Sequence, residues 1–253
     1  RDSAEGDGAK PTILYIPGMD QVREDYPNPF KNEFTKRGMN ICSMDGPGQG
    51  ECNMKSIWQD ETNYALAAEK VIDWLIQRED VNSEKIGVFG TSMGSRWGVQ
   101  VAAYDKRVKA VVGQMANVGT FDLIFEQAQP NFKRIFMYMA GYTDEQLFDE
   151  FISRLALMPD LARDVKVPHL LVAGDMDELC TPKDIDVFRS ALGGPSELWL
   201  YEGVFHPMGE VAEQIYPSIA DWLLTTLNDG RPADCHNEIY IEENTVLADY
   251  DHG

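Results

Sequence analysis

Lys85-Ile86-Gly87-Val88-Phe89-Gly90-Thr91-Ser92-Met93-Gly94 is a β-rich run that ends in G-x-S-x-G, and the residues that follow it, through Ala103, suit a helix. A strand that turns directly into a helix through this pentapeptide presents its serine hydroxyl at the carboxyl end of a sheet. Gly90 and Gly94 fit that turn, because strand and helix must approach closely around a sharply bent serine. The bare pentapeptide is common by chance and reads equally as a plain turn. The preceding strand is what gives it weight.

Outward from this segment, short β-rich runs alternate with longer helical patterns. The runs are Thr12 to Ile16, Asn40 to Met44, Lys85 to Phe89, Val108 to Val112, His169 to Ala173 and Glu197 to Tyr201. The clearest helix is Glu61 to Gln77, where Ala65, Ala68, Val71, Ile72 and Leu75 recur at helical spacing. This order predicts a mostly parallel central sheet flanked by helices. One connection breaks the rhythm. Residues 117–163 run through Phe121, Phe125, Phe132, Phe136, Tyr138 and Phe148 before the next strand, a length that points to a functional lid. The expected division is a first core part at 1–116, a helical lid insertion at 117–163, a second core part at 164–228 and an acidic tail at 229–253. The tail holds one β-like stretch, Glu238 to Ile241, and is treated as an appendage.

A serine hydroxyl is a poor nucleophile near neutral pH, so it needs a histidine in hydrogen-bond reach and a carboxylate to orient that ring. In a sheet of this kind the acid and then the histidine follow at the ends of later strands. After the run His169 to Ala173 comes Gly174-Asp175-Met176-Asp177-Glu178, and after Tyr201 comes Glu202-Gly203-Val204-Phe205-His206-Pro207. His169 opens a buried-looking strand and His236 and His252 lie in the tail, which leaves His206. For the acid, the G-x-x-D spacing from Gly174 favours Asp177, with Asp175 as runner-up; a solvated or capping aspartate is the plainer reading of either. The oxyanion of acyl chemistry needs backbone donors from the residue after the serine and from the loop after an early strand. Met93 and Met19, the latter in Ile16-Pro17-Gly18-Met19-Asp20, occupy those places, although a simple turn at Pro17-Gly18 would account for the second.

Composition narrows the classes. The 253 residues are 43% hydrophobic and 25% charged, and 42 acids against 22 bases leave a net charge of −20, which disfavours nucleic acid and anionic lipid. No apolar run approaches the ~20 residues of a membrane helix. Four cysteines without C-x-x-C spacing fit a reducing, cytoplasmic compartment, and four scattered histidines give no metal site. A small-molecule substrate is the expected partner, with no cofactor and with a homodimer left open.

Arg37-Gly38-Met39 through Met44-Asp45-Gly46-Pro47-Gly48-Gln49-Gly50-Glu51, together with Gly90-Thr91-Ser92-Met93-Gly94 and the acid and histidine loops, resembles the α/β-hydrolase group that contains 2,6-dihydropseudooxynicotine hydrolase and the fungal polyketide-shortening hydrolases of the yellowish-green pigment type. The likeness runs from about Pro11 to Leu227, and the D-G-P-G-Q-G-E run is its most specific piece. It implies the α/β-hydrolase fold and cleavage of a carbon–carbon bond next to a ketone, in a β-diketone or an acylated polyketide or aromatic substrate, with water as second substrate. It also implies a further acid in the insertion, matched by Glu126, whose plainer reading is a solvated charge. Members are usually longer at the amino end, where a helical segment and the first strands complete the sheet and cover the site; this chain starts at what resembles the third strand, which leaves that part disordered, cleaved or absent. The family often has glycine after the second elbow glycine, where Ser95-Arg96-Trp97 stands here, and Pro207 follows the histidine; neither change touches the chemistry of the three reacting side chains, and both could alter the pocket. A carboxylesterase or lactonase with the same residues, and a non-catalytic binder of a small ligand or partner, are the competing readings.

Overall fold

The computed structural model describes residues 2–28, 32–155 and 158–242. Its strands are β1 (Lys10–Ile16), β2 (Asn40–Ser43), β3 (Val81–Thr91), β4 (Val108–Gln114), β5 (His169–Gly174), β6 (Ser196–Tyr201) and β7 (His236–Ile241). They form one seven-stranded sheet in the order β2-β1-β3-β4-β5-β6-β7. Every neighbouring pair is parallel. The helices are α1 (Glu33–Lys36), α2 (Gly50–Met54), α3 (Asn63–Leu75), α4 (Met93–Tyr104), α5 (Pro130–Ala140), α6 (Glu145–Arg154), α7 (Met158–Ala162), α8 (Pro182–Ala191) and α9 (Ala212–Asp229). A π-helical turn at Leu123–Gln127 opens the segment between β4 and α5.

The sheet is covered on both faces, and its strands alternate between two cores. Leu14, Ile16, Ile86, Val88 and Val111 face α3, α4 and α8 through Tyr64, Ile72, Trp97, Val99, Ile185 and Phe188. Ile13, Tyr15, Phe89, Ala110 and Val112 face α1 and α9 through Phe34, Ile219, Trp222 and Leu223. Burying one such side chain contributes roughly 1.5–3 kcal/mol, whereas a hydrogen bond nets about 1, so the double-sided burial, more than the ladder, locks the register. Each strand-to-strand connection carries at least one helix and returns the chain to the same end, so the loops at the strands' carboxyl ends gather along one edge.

Between β4 and β5 the π-turn, α5, α6 and α7 pack through their aromatics. The Phe121 and Phe125 rings stack at 5.2 Å and Phe125 meets Phe136 at 5.4 Å. Phe136 and Phe148 are fully buried at 6.0 Å from one another, while Tyr138 points outward. Most of the aromatic content of this segment is therefore buried in the core that it shares with that face of the sheet.

The stretch Glu238 to Ile241, expected as part of an appendage, widens into β7 and pairs with β6 from Ser196↔His236 to Tyr201↔Ile241. Arg189 of α8 fastens it, donating from Nη1 to Glu238 Oε2 at 2.8 Å and from Nη2 to the Asn237 carbonyl at 2.9 Å. The strand is weakly marked in the sequence because it lies at the sheet edge with four of its six residues exposed, leaving little apolar alternation. Residues 243–253 of that tail lie outside the described residues.

Candidate active site

Ser92 sits between β3 and α4 with φ 52° and ψ −124°, a conformation that an L-residue adopts at a cost of order 1–3 kcal/mol. The surroundings hold it there: its N–H donates to the Gln114 carbonyl at 2.8 Å, and its carbonyl accepts from Ser95 N at 2.9 Å and from Ser95 Oγ at 2.6 Å. Ser95 Oγ in turn accepts from Asn117 N at 2.8 Å, so the side chain that departs from the family pattern ties the elbow to the loop after β4. The glycines are needed for contact. A Cβ on Gly90 would lie 2.1 Å from the Gly94 carbonyl oxygen, and one on Gly94 would lie 2.2 Å from the Ile16 carbonyl oxygen.

The loops after β5 and β6 bring the acid and the histidine to the same edge. Ser92 Oγ is 2.7 Å from His206 Nε2, and His206 Nδ1 is 2.8 Å from Asp177 Oδ2. A carboxylate only accepts, so the ring proton sits on Nδ1 and Nε2 is left to accept the serine hydroxyl. Asp177 is held from behind: its other oxygen accepts from Leu179 N at 2.8 Å and Cys180 N at 3.1 Å, and its side chain is fully buried. Burial pushes the neighbouring Cys180 thiol up to about 12, so it stays neutral beside the carboxylate.

The other acids of that loop do different work. Asp175 accepts from Gly203 N at 2.7 Å and from the Tyr240 hydroxyl at 2.8 Å, clamping the histidine loop to β7. Glu178 Oε2 accepts weakly from His206 N at 3.4 Å. His169 is buried with both ring nitrogens unpartnered and its ring edge-on to Phe188 at 5.5 Å; burial lowers its pKa to about 3.

Met19 and Met93 are both buried, at the end of the β1 loop and the start of α4. Among the described residues neither N–H donates to a backbone acceptor, so both are available. A Cβ on Gly18 would touch Ser92 Cβ at 3.3 Å, which puts the Met19 loop directly against the elbow. Two glutamines hold that loop. Gln21 Oε1 accepts from Gly18 N at 2.8 Å and from Thr91 Oγ1 at 3.0 Å. Gln49 Nε2 donates to the Gly18 carbonyl at 2.7 Å while its Oε1 accepts from Gly46 N at 3.1 Å and the Tyr64 hydroxyl at 2.7 Å. The D-G-P-G-Q-G-E run is thus a brace for the turn at Gly18. Sequence reasoning singled out the run without finding this role, which needs contacts across 31 residues.

Glu126 is not brought to this cluster. It lies in the π-helical turn, its side chain 63% exposed, paired with Lys133 at 3.3 Å. Lys133 pairs also with Asp149 at 2.8 Å, so Glu126 is part of a surface ion network of the insertion. Among the described residues no group of His, Cys, Asp and Glu has the arrangement to hold a metal ion, and no helix is long and apolar enough to cross a membrane.

A family model described as alpha/beta hydrolase fold matches residues 11–161. Among curated proteins, 2,6-dihydropseudooxynicotine hydrolase of Paenarthrobacter nicotinovorans is 32% identical over 122 residues, 47% of this chain and 32% of that protein. Hydrolase LUC6 of Fusarium sp is 29% identical over 155 residues, 59% of this chain and 36% of that protein. The matched regions span about a third of these relatives' lengths. A crystal structure of 2,6-dihydroxy-pseudo-oxynicotine hydrolase superposes with a TM-score of 0.83 at 21% identity, covering 92% of this chain and 66% of that one, a likeness of fold. With the model matched over more than half of its residues and the parallel sheet and serine turn in place, the chain belongs to the α/β-hydrolase fold family.

Proposed function

We propose that the protein is a serine hydrolase that cleaves a carbon–carbon bond next to a ketone, in a β-diketone or an acylated polyketide or aromatic substrate, through an acyl-enzyme. The observation that carries the acyl-enzyme reading is the unbroken hydrogen-bond line from Ser92 Oγ through the His206 ring to Asp177 Oδ2. His206 Nε2 takes the hydroxyl proton as Ser92 Oγ bonds to the substrate carbonyl carbon. The Met19 and Met93 N–H groups hold the oxyanion. Collapse of that adduct expels the carbon leaving group as an enolate, which takes its proton from the His206 imidazolium. Water then adds to the acyl-enzyme, giving its proton to His206, and the acid leaves as Ser92 regains its hydrogen. The names of the relatives support a hydrolase of this general kind.

One observation favours a second reading, a carboxylesterase or lactonase. Glu126, the acid that the resemblance attaches to carbon–carbon cleavage, is paired with Lys133 on the surface, and what remains is machinery that serves ester and ketone alike. Comparing kcat/KM for a series of aryl β-diketones with that for matched aryl esters separates the two. Turnover of esters with none of any diketone removes the carbon–carbon reading. Failure of a fluorophosphonate to label Ser92 in folded protein removes both.

A further inference from the structure

Arg96 takes no part in the chemistry above. It lies on the second turn of α4, 7% exposed, with its guanidinium carbon 4.0 Å from the centre of the Phe121 ring. Nη2 donates to the Gly119 carbonyl, while Nε and Nη1 have no acceptor among the described residues. Burial lowers its pKa to about 10 and no carboxylate offsets this, yet it remains charged at neutral pH. An unpaired buried cation is unusual, and more so in a chain of net charge −20.

The side chain opens onto two cavities. One, of about 30 Å³, is bordered by Arg96, Gln59, Glu61, Gln100, Met93 and Trp97. Gln59 Oε1 and Gln100 Oε1 are also buried without partners, the Gln100 amide nitrogen being engaged with the Glu61 carbonyl at 2.7 Å. A wider cavity, of about 430 Å³, shares Arg96 and Phe121. Of the carboxylates that border the two cavities, Glu61 pairs with Arg154 at 2.8 Å, Asp184 binds the Thr181 amide at 3.0 Å and its hydroxyl at 2.5 Å, and Asp122 borders the wider cavity, none of them bonded to Arg96. A water needs roughly 10–15 Å³ of such space, so the small cavity has room for about two oxygens. That is the size of one carboxylate.

The cavity adjoins the elbow. Met93, Arg96, Trp97 and Gln100 fall at i, i+3, i+4 and i+7 along α4, and helical side chains lean back toward the amino end. Met93, which follows Ser92 in the chain and whose N–H is proposed for the oxyanion, is among the residues that border it. We propose that this cavity is an anion subsite of the same active site and that the substrate is acidic, carrying a carboxylate that Arg96 binds. The spacing of one helical turn sets that carboxylate about three to five bonds from the scissile carbonyl. The inference rests on the acyl-transfer reading and adds its substrate class.

The test uses two esters of equal length, mono-4-nitrophenyl glutarate and its methyl-capped, uncharged counterpart. Wild-type protein is expected to favour the acidic ester in kcat/KM by roughly 10–100-fold, the range of a charge-assisted contact. Arg96→Met is expected to bring that ratio to about one, and Arg96→Lys to leave it between the two. A wild-type ratio of one or below overturns the proposal, whatever the variants do. So does an Arg96→Met protein that keeps the wild-type ratio. Should neither ester be turned over, the acyl-transfer reading fails separately, and the subsite is judged by melting temperature in millimolar glutarate against millimolar pentanamide. Stabilisation by glutarate alone, lost in Arg96→Met, supports it, and equal melting in both overturns it. If Arg96→Met does not fold, Arg96→Lys compared with wild type decides between the same two outcomes.

Discussion

Replacing Asp177 by asparagine separates orientation from folding at this site. In the native arrangement one carboxylate oxygen accepts from His206 Nδ1 at 2.8 Å and the other from two backbone N–H groups, Leu179 and Cys180. Asparagine keeps a single acceptor, and two donors compete for it on the backbone side, so its NH₂ turns toward the imidazole. His206 Nδ1 must then accept, the ring proton moves to Nε2, and Nε2 donates to Ser92 Oγ instead of accepting from it. Loss of a charge-assisted hydrogen bond costs about 1.5–3 kcal/mol, and loss of base catalysis is worth about 10²–10⁴ in rate. The hydrogen bond and the base catalysis it supports are one effect and not two to be summed, so the expected fall in kcat is about 10²–10⁴-fold. Because the backbone contacts survive, the melting temperature should move by only a few degrees. Asp175→Asn is the control: it weakens the contacts to Gly203 and Tyr240, so about 1 kcal/mol of stability, roughly 2–4 °C, should go with little change in kcat. The assay is stopped-flow hydrolysis of an aryl ester alongside calorimetry. A folded Asp177→Asn protein that retains more than a tenth of wild-type kcat, or an Asp175→Asn protein that loses activity in its place, refutes the assignment.

Three further outcomes are expected. His169 is held neutral in the fold with its pKa lowered to about 3. Its unfolded form takes up a proton below about 6.5, so stability falls as pH drops from about 6.5 toward 3, by about 1.4 kcal/mol per unit through this group. His169→Leu should flatten that part of a denaturant-unfolding series between pH 6 and 4, and parallel curves would dismiss the account. Glu126→Gln removes one exposed partner of Lys133, so it should change stability by less than about 1 kcal/mol and leave the ratio of ester to diketone turnover unchanged; a selective loss on diketones would restore its place in the chemistry. Gly90→Ala drives a Cβ to within 2.1 Å of the Gly94 carbonyl oxygen. Backbone cannot yield there as a side chain can, so a loss of about 3 kcal/mol or more is expected by chemical denaturation, and a stable Gly90→Ala protein would mean that the elbow is looser than described.

Much of the core was legible because a strand buried on both faces writes itself as an apolar run. The run Lys85 to Phe89 became Val81–Thr91, and Glu61 to Gln77 became Asn63–Leu75, differing at the ends and not in kind. The serine turn was legible because its geometry restricts which residues can stand at 90 and 94. The choice of His206 followed from where the other histidines fall. β7 was seen only in part, since an exposed edge strand has no apolar alternation to betray it. Glu126 was placed by resemblance, and its partner Lys133 seven residues on gave no signal that the carboxylate would lie exposed beside it.

The sequence by itself determined the parallel sheet, the elbow, and the order in which acid and histidine follow the serine, because each is written in local periodicity or in residues that a tight turn demands. What only the tertiary structure decided are choices among equals. Asp177 and Asp175 stand two residues apart, and the fold turns one to the imidazole and the other to Gly203 and Tyr240. Gln49 and Arg96 look like ordinary polar residues until packing leaves one bracing the Gly18 turn and the other buried without a counter-charge. Such roles depend on contacts between segments far apart in the chain, and no local pattern encodes which partner a side chain will meet.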